Sequence, residues 1–357
     1  MRQPLSPFVM VAAWGLALAW GCGEPGGLGP DAGGKGSSAD SGMSGLDVDD
    51  IVIQPGVDTG PTVGRDGGST PSGVLIWAHT DNALFRGDPS TQPLQLTRVG
   101  SFDCIGDGGT SSSMTDLAVN MNGQLFGVSA AAVYPLEIRG SSVHCAETWR
   151  LQSSGRFYGM TFAPAGVLGP EEMLVGANSA GELWAIDAQG SATQVGTFGQ
   201  VPADDGHGHV YANAGKDWEL SGDIVFLSND GDPVGFATLR DCPNPPSTTG
   251  CNRVDTLVEI DVTKLALGNT ASVTKSVRGQ VVKGAGCNDP STATGYGSTY
   301  GIAAWNDKVF GFSRKSGDGY LIEIDNQDGT ACLVQRYPDD AFAGAGVSTL
   351  APVQGPN

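Results

Sequence analysis

Basic residues are scarce in this chain of 357 residues. It has 19 Lys and Arg against 38 Asp and Glu, which gives a formal net charge of −19, and it contains only four His. A strong negative charge repels the phosphates of nucleic acids and the anionic headgroups of membranes. We therefore expect no nucleic-acid partner and no membrane binding through a basic patch, while cations and neutral ligands remain compatible with this charge.

Local catalytic motifs are also missing. The sequence has no His-Glu-x-x-His, no Walker loop and no Gly-x-Gly-x-x-Gly fingerprint after a strand. Residues 177–181 (Ala-Asn-Ser-Ala-Gly) lack the first Gly of a nucleophile elbow. Any catalytic site would therefore have to combine residues that are distant in the sequence.

The apolar run near the N-terminus, residues 8–20, is too short for a membrane-spanning helix. It follows Arg2 and precedes small residues, which predicts an export signal peptide over residues 1–21. Residues 18–22 (Leu-Ala-Trp-Gly-Cys) resemble a bacterial lipobox, which implies that Cys22 carries lipid, and Gly23 fits sorting to the outer membrane. The alternative is cleavage after Ala19, which would release a soluble periplasmic or secreted protein.

Residues 22–72 have the composition of a disordered tether. They are rich in Gly, Ser and Asp, and their one strand-like stretch, residues 51–53, is isolated. Such a segment cannot bury enough apolar surface to fold. The acidic cluster at residues 47–50 is an alternative Ca²⁺ site, but no Gly turn with a bidentate Glu follows it, so we expect a solvated spacer.

Glycine is abundant, with 55 residues, and this favours a strand-and-turn protein over a helical one. An apolar strand that ends in an acid or a turn occurs five times, at residues 84–88, 133–137, 183–187, 257–261 and 321–325. Similar opening segments that begin at residues 116, 159, 222 and 301 precede four of them. Helical periodicity is absent from residues 73–353, so each unit is predicted to form four short strands.

Four-stranded units repeated around an axis make a β-propeller. The first unit lacks an opening strand, and residues 342–349 resemble the missing one. We therefore predict an all-β propeller over residues 73–353, closed by this C-terminal strand, with residues 354–357 as a tail. Five blades are expected. Six remain an alternative, because the fourth unit is long enough to contain another, and a two-sheet sandwich would not explain the repeats.

Six cysteines remain after Cys22, an even number that indicates disulfides in an exported protein. Six cysteines allow 15 pairings. Their parallel positions in two repeats favour two bridges, and the short segment between residues 242 and 251 favours a local third. The predicted pairs are Cys104–Cys145, Cys242–Cys251 and Cys287–Cys332.

Three segments carry a resemblance to known proteins. They are residues 218–225 (Trp-Glu-Leu-Ser-Gly-Asp-Ile-Val), 257–261 (Leu-Val-Glu-Ile-Asp) and 344–349 (Gly-Ala-Gly-Val-Ser-Thr). In these segments the chain resembles bacterial secreted β-propeller repeat proteins and is similar to uncharacterised propeller lipoproteins of the myxobacterial type. The resemblance implies the fold and supplies no catalytic residues.

The long links between successive units should gather on one face of a propeller, which is the default binding face. The predicted binding residues on these links are Asp204, Asp205, His207, His209, Tyr211, Trp218, Tyr296 and Tyr300. Two carboxylates and two imidazoles between residues 204 and 209 are candidate ligands for Zn²⁺ or Ca²⁺. The alternative is a solvated turn, which we favour because no further ligand from a strand is evident, so no cofactor is predicted.

Asp116 and Asp223 open two of the predicted inner strands. They are either an acid/base pair that faces the channel or acceptors for the backbone of neighbouring blades, and we favour the second. The leading hypothesis is a monomeric, lipid-anchored module of the cell envelope that binds a protein or a glycan. The rival is a propeller hydrolase or lyase for a glycan or lactone, with an Asp/His site that uses Ca²⁺ or Zn²⁺.

Overall fold

A computed structural model describes residues 73–106, 112–152, 156–228, 232–247, 249–287 and 294–353. The chain divides into two units, residues 1–64 and 65–357, and the described residues all belong to the second. The predicted signal peptide, Cys22, the tether and the tail at 354–357 lie outside the described residues. Among the described residues, one 3₁₀ turn, Val262–Lys264, is the sole helical segment, and none has the length and hydrophobicity to cross a membrane.

The described residues form 21 strands. Those of the N-terminal half are β1 (Ile76–Thr80), β2 (Ala83–Gly87), β3 (Thr97–Phe102), β4 (Met114–Val119), β5 (Leu125–Ser129), β6 (Ala132–Arg139), β7 (Ser142–Cys145), β8 (Trp149–Arg150), β9 (Phe157–Ala163), β10 (Met173–Asn178), β11 (Glu182–Ile186) and β12 (Ala192–Thr197). Those of the C-terminal half are β13 (Glu219–Leu227), β14 (Val234–Arg240), β15 (Thr256–Ile260), β16 (Thr274–Gln280), β17 (Thr299–Trp305), β18 (Lys308–Lys315), β19 (Asp318–Asp325), β20 (Ala331–Tyr337) and β21 (Phe342–Gly346).

Three sheets are four-stranded antiparallel meanders in chain order: β9 to β12, β13 to β16 and β17 to β20. Burial falls from the first strand of a sheet to the last. Every residue of β13 is buried, whereas β16 keeps one buried residue in seven. The first strand of each sheet is therefore enclosed by protein, and the last lies at the periphery.

The remaining strands form one larger sheet, in the order β21-β1-β2-β3-β7-β6-β5-β4 with β8 beside β6. β21 pairs antiparallel with β1, with Trp77 opposite Gly346, which confirms the predicted union of a C-terminal strand with the N-terminal strands. β3 and β7 join the two halves by a short parallel pairing. The pairing of β21 with β1 covers a strand edge that could otherwise pair with another chain and aggregate.

The first strands of the three four-stranded sheets and the two end strands of the larger sheet, β21 and β4, pack against one another in a cycle. We call these five the first strands. β4 contacts β9, β9 contacts β13, β13 contacts β17, β17 contacts β21, and β21 contacts β4. The backbones come close together: a Cβ atom at Gly222 would lie 2.0 Å from the Thr299 carbonyl oxygen. Sheets arranged around a common axis in this way form a β-propeller, as the sequence predicts.

The three predicted disulfides are present, Cys104–Cys145, Cys242–Cys251 and Cys287–Cys332. Cys104–Cys145 and Cys287–Cys332 join segments that the repeat pattern brings together, and Cys242–Cys251 closes the connection between β14 and β15. Disulfides of this number indicate an oxidising, exported environment.

Candidate functional site

We call the side of the propeller on which β9, β13 and β17 begin the upper face. Strands that run antiparallel to them end there. Arg240 at the end of β14 lies opposite Glu219 at the start of β13, and Ser313, beside Arg314 in β18, lies opposite Thr299 at the start of β17. The upper face therefore combines residues that are far apart in the sequence.

Tyr300 is the centre of the candidate site on the upper face. Two guanidinium groups lie near its half-buried ring: that of Arg314 is 4.4 Å from the ring centroid, and that of Arg240 is 5.9 Å away. Both distances are within the range of cation–π attraction. Two positive charges thus meet one aromatic ring in a protein that is otherwise strongly acidic.

The two arginines are held differently. The Arg240 Nε donates to Asp255 Oδ1 at 3.2 Å, and the fully buried Asp255 also accepts from the Ser221 hydroxyl. Arg314 instead lies 3.6 Å from Asp81 in an exposed ion pair, with 39% and 61% of the two side chains accessible. Exposed ion pairs of this kind contribute about 0–1 kcal/mol, so Arg314 can exchange its partner at little cost whereas Arg240 is fixed.

The same environment acts on the Tyr300 phenol. Burial alone would raise the pKa of Tyr300, but a hydrogen bond with Ser298 and the charges of Arg240 and Arg314 outweigh burial and lower it. Ser298 has a φ of 56°, in the left-handed region that non-glycine residues seldom occupy. Strained positions of this kind are concentrated at functional sites. Tyr158, near the start of β9, adds a second tyrosine to this face and is 38% exposed.

Two carboxyl groups lie inside the ring of first strands. Asp116 Oδ2 accepts a hydrogen bond from the Met160 backbone N–H in β9. Asp223 Oδ2 accepts one from the Ile302 backbone N–H in β17 at 2.8 Å. Each carboxyl thus joins its own strand to the next one in the cycle, which confirms the structural interpretation favoured from the sequence.

His79 completes this interior group. Its Nδ1 donates to the Thr80 carbonyl at 2.8 Å, and its Nε2 lies 3.9 Å from Asp116 Oδ1. Burial raises the pKa of Asp116 and of Asp223 well above the usual range, and lowers the pKa of His79 to about 4. All three side chains are 0% exposed, so they bind other protein groups rather than a substrate in this conformation.

The segment at residues 204–209 closes on itself. Asp205 Oδ1 accepts hydrogen bonds from the backbone N–H groups of His207 and His209, at 2.8 and 2.9 Å. Asp204 Oδ1 accepts one from the Gly206 N–H at 3.0 Å. The carboxylates therefore shape a tight turn. Among the described residues, three or more possible metal ligands come within 4.8 Å of one another only in two other places, each at a disulfide. The predicted metal ligands between residues 204 and 209 are therefore not brought together.

The predicted aromatic contacts differ in exposure. Tyr211 and Trp218 are 3% and 1% exposed and pack edge to face within a hydrophobic cluster, with ring centroids 5.3 Å apart. Tyr296 is also buried, in a second cluster. These three were expected on a binding surface. Their burial instead makes them part of the core, because the β12–β13 connection folds Tyr211 and Trp218 inward and the β16–β17 connection does the same with Tyr296. Tyr300 remains accessible.

Sequence reasoning missed Arg240, Arg314 and Tyr158. All three lie at strand ends and belong to no motif. One feature of the sequence could have indicated the two arginines. Basic residues are scarce, so an arginine at the end of a predicted strand is a candidate binding residue.

No family model matches the chain, and no curated protein matches it. Solved structures do resemble it. A chain of the nidogen/laminin complex is 9% identical, with 77% of this chain and 98% of that chain covered and a TM-score of 0.40. A protein of unknown function from Bacteroides caccae is 10% identical (78% and 99% covered, TM-score 0.38), and TolB from Acinetobacter baumannii is 12% identical (78% and 66% covered, TM-score 0.37). Because all three scores are below 0.5, the propeller assignment rests on the sheet topology of the chain itself.

Proposed function

We propose that this chain is a binding module, a five-bladed β-propeller that recognises a protein or a glycan through its upper face. The observation that carries this proposal is the Tyr300 ring with the guanidinium groups of Arg240 and Arg314 beside it. Tyr and Arg, with Trp, are enriched among the residues that contribute most to binding in protein–protein interfaces. The exposed Arg314–Asp81 pair leaves a guanidinium ready for a ligand.

The count of five blades depends on dividing the larger sheet between β3 and β7, which become the peripheral strands of two adjacent blades. The larger sheet then contains two blades, β21 with β1 to β3, and β4 to β7. The cycle of first-strand contacts has five members, which supports this division.

The module acts, in this proposal, at the cell envelope. Residues 1–21 are the signal peptide, lipid on Cys22 anchors the mature chain in the outer membrane, and residues 22–72 hold the propeller away from the bilayer. The three disulfides support an exported location. The propeller is expected to be monomeric, because the ring of sheets is closed within one chain.

The test is a binding screen with two matched variants. The full chain is applied to a glycan array and to a peptide array, and the strongest ligands are measured by isothermal titration calorimetry. Arg314→Gln removes the exposed guanidinium. Lys308→Gln is the control, because Lys308 is at the other end of the same strand and forms a comparable ion pair, 2.8 Å from Glu323.

We expect Arg314→Gln to weaken the best ligand about 10- to 100-fold, since a hydrogen bond to a charged group contributes about 1.5–3 kcal/mol. Lys308→Gln should leave the affinity unchanged. Equal affinities for wild type and both variants would refute the proposed site.

A further inference from the structure

A second chemical site lies at the connection between β14 and β15. The disulfide Cys242–Cys251 closes this connection, and Glu219, the first residue of β13, faces it. A Glu219 carboxylate oxygen and both sulfur atoms lie within 4.8 Å of one another. Glu219 Oε2 lies 3.7 Å from Cys251 Sγ.

The two cysteines of this disulfide differ in exposure. Cys242 is 0% exposed, whereas Cys251 is partly exposed. A thiolate from outside the protein can therefore approach Cys251 but not Cys242. When it attacks Cys251, the electron pair of the S–S bond passes to the buried Cys242 sulfur, and a buried thiolate is costly unless it gains a proton.

We propose that Cys242–Cys251 is a redox-active disulfide that exchanges with external thiols, and that Glu219 gives the proton to Cys242 as it leaves. In the first step the external thiolate forms a bond to Cys251 Sγ, the Cys242–Cys251 bond breaks, and the Glu219 proton moves to Cys242 Sγ. A second external thiolate then attacks the external sulfur of the mixed disulfide and releases Cys251 as a thiolate, which solvent protonates. In sum, two external thiolates, the Glu219 proton and one proton from solvent convert the protein disulfide into two thiols and give one external disulfide and an ionised Glu219.

Glu219 is suited to hold that proton. It is 1% exposed, and burial raises its pKa to about 7 against the opposing charge of Arg240. A disulfide sulfur carries no hydrogen, so its contact with Glu219 does not stabilise the carboxylate. After reduction, the Cys251 thiol supplies the missing donor, so reduction and ionisation of Glu219 favour each other.

The other charged groups of this region are already engaged. Arg240 at the end of β14 is bound to the buried Asp255, which precedes β15. Asp241, next to Cys242, is 2% exposed and accepts the Ala212 backbone N–H at 3.1 Å. Tyr211 is buried, and burial raises the pKa of its phenol. Glu219 thus remains the acid that faces the sulfurs.

Cys104–Cys145 provides an internal comparison. A carboxyl group, that of Asp103, also lies within 4.8 Å of both of its sulfurs. Burial opposes ionisation of Asp103, but the hydrogen bonds from the Cys145 backbone and from His144 outweigh it and lower its pKa. Asp103 is therefore an ionised carboxylate with no proton to give, so this disulfide should not share the reactivity.

The experiment measures reduction of each disulfide in the full chain. Dithiothreitol is added at several pH values from 5 to 9, free thiols are trapped with an alkylating reagent, and peptide mass spectrometry reports the three bridges separately. Rates are divided by the thiolate fraction of the reagent. Wild type is compared with Glu219→Gln, which keeps the shape but cannot donate an acidic proton, and with Asp103→Asn as the matched control.

We expect Cys242–Cys251 to be reduced about tenfold or more faster than Cys104–Cys145 at pH 6, with a corrected rate that falls above pH 7. Glu219→Gln should make that rate slow and independent of pH, and Asp103→Asn should leave it unchanged. Equal rates for the two wild-type bridges, or a flat wild-type profile, would overturn the proposal. The wild-type measurements decide the matter even if Glu219→Gln fails to fold.

Discussion

The replacement Gly344→Ala tests how closely the first strands converge. A Cβ atom at Gly344 in β21 would lie 2.2 Å from Asp116 Oδ1, 2.3 Å from His79 Nε2 and 2.9 Å from Asp116 Cα. All three distances are below ordinary contact. One methyl group must therefore displace a buried carboxyl, a buried imidazole and part of strand β4.

The loss of stability can be estimated from the packing and from the hydrogen bonds that Asp116 and His79 make. Inserting a methyl group into a packed core costs about 1–3 kcal/mol. Asp116 is fixed by the Met160 N–H and His79 by the Thr80 carbonyl, and breaking one buried hydrogen bond adds about 1–3 kcal/mol. We expect Gly344→Ala to lower the free energy of unfolding by about 2–6 kcal/mol.

Urea unfolding followed by circular dichroism measures this loss. Gly169→Ala is the matched control, because a Cβ atom there would meet nothing within 4 Å. The control should stay within about 0.5 kcal/mol of wild type. If both variants are as stable as wild type, the first strands do not converge as described.

Three further results are expected. In an ultraviolet titration at 295 nm, Tyr300 should be the first tyrosine to ionise, because its pKa is lowered, and Arg314→Gln should move that step to higher pH. Burial raises the pKa of Glu219 in the folded protein to about 7, above its usual value of 4.5, so its contribution to stability is complete below pH 4.5 and is lost as pH rises through 7. Glu219→Gln should remove this part of the pH dependence of the urea midpoint. Cys22→Ala should move the protein from the membrane fraction to the soluble fraction, and retention in the membrane would contradict lipidation.

The strand pattern made much of the fold predictable. Repeated apolar segments with Gly, Asn and Asp turns identified the units, and the unpaired segment at residues 342–349 predicted the closure that β21 and β1 form. The disulfides were predictable because Cys104 and Cys145 occupy the same places in their repeat as Cys287 and Cys332 do in theirs. These features depend on local sequence and on the similarity between repeats, and both can be recognised in one sequence.

The candidate site was less predictable. Tyr211 and Trp218 belong to a connection without periodicity, so no sequence pattern indicates that they pack with Phe198 and Val201 in the core. The Tyr300 site forms because the antiparallel register brings the end of β18 beside the start of β17, and packing of the neighbouring sheet adds the end of β14. That juxtaposition depends on how neighbouring sheets pack, which no local pattern encodes.

The central claim is that a ligand binds the upper face around Tyr300. Hydrogen–deuterium exchange of the full chain, with and without the strongest ligand from the arrays, tests it directly. We expect the ligand to slow exchange in the peptides that contain Tyr300 and Arg314 and to leave the β17–β18 turn, between Trp305 and Lys308 at the opposite end, unchanged. Protection of that turn without protection of the Tyr300 peptide would show that the ligand does not bind around Tyr300.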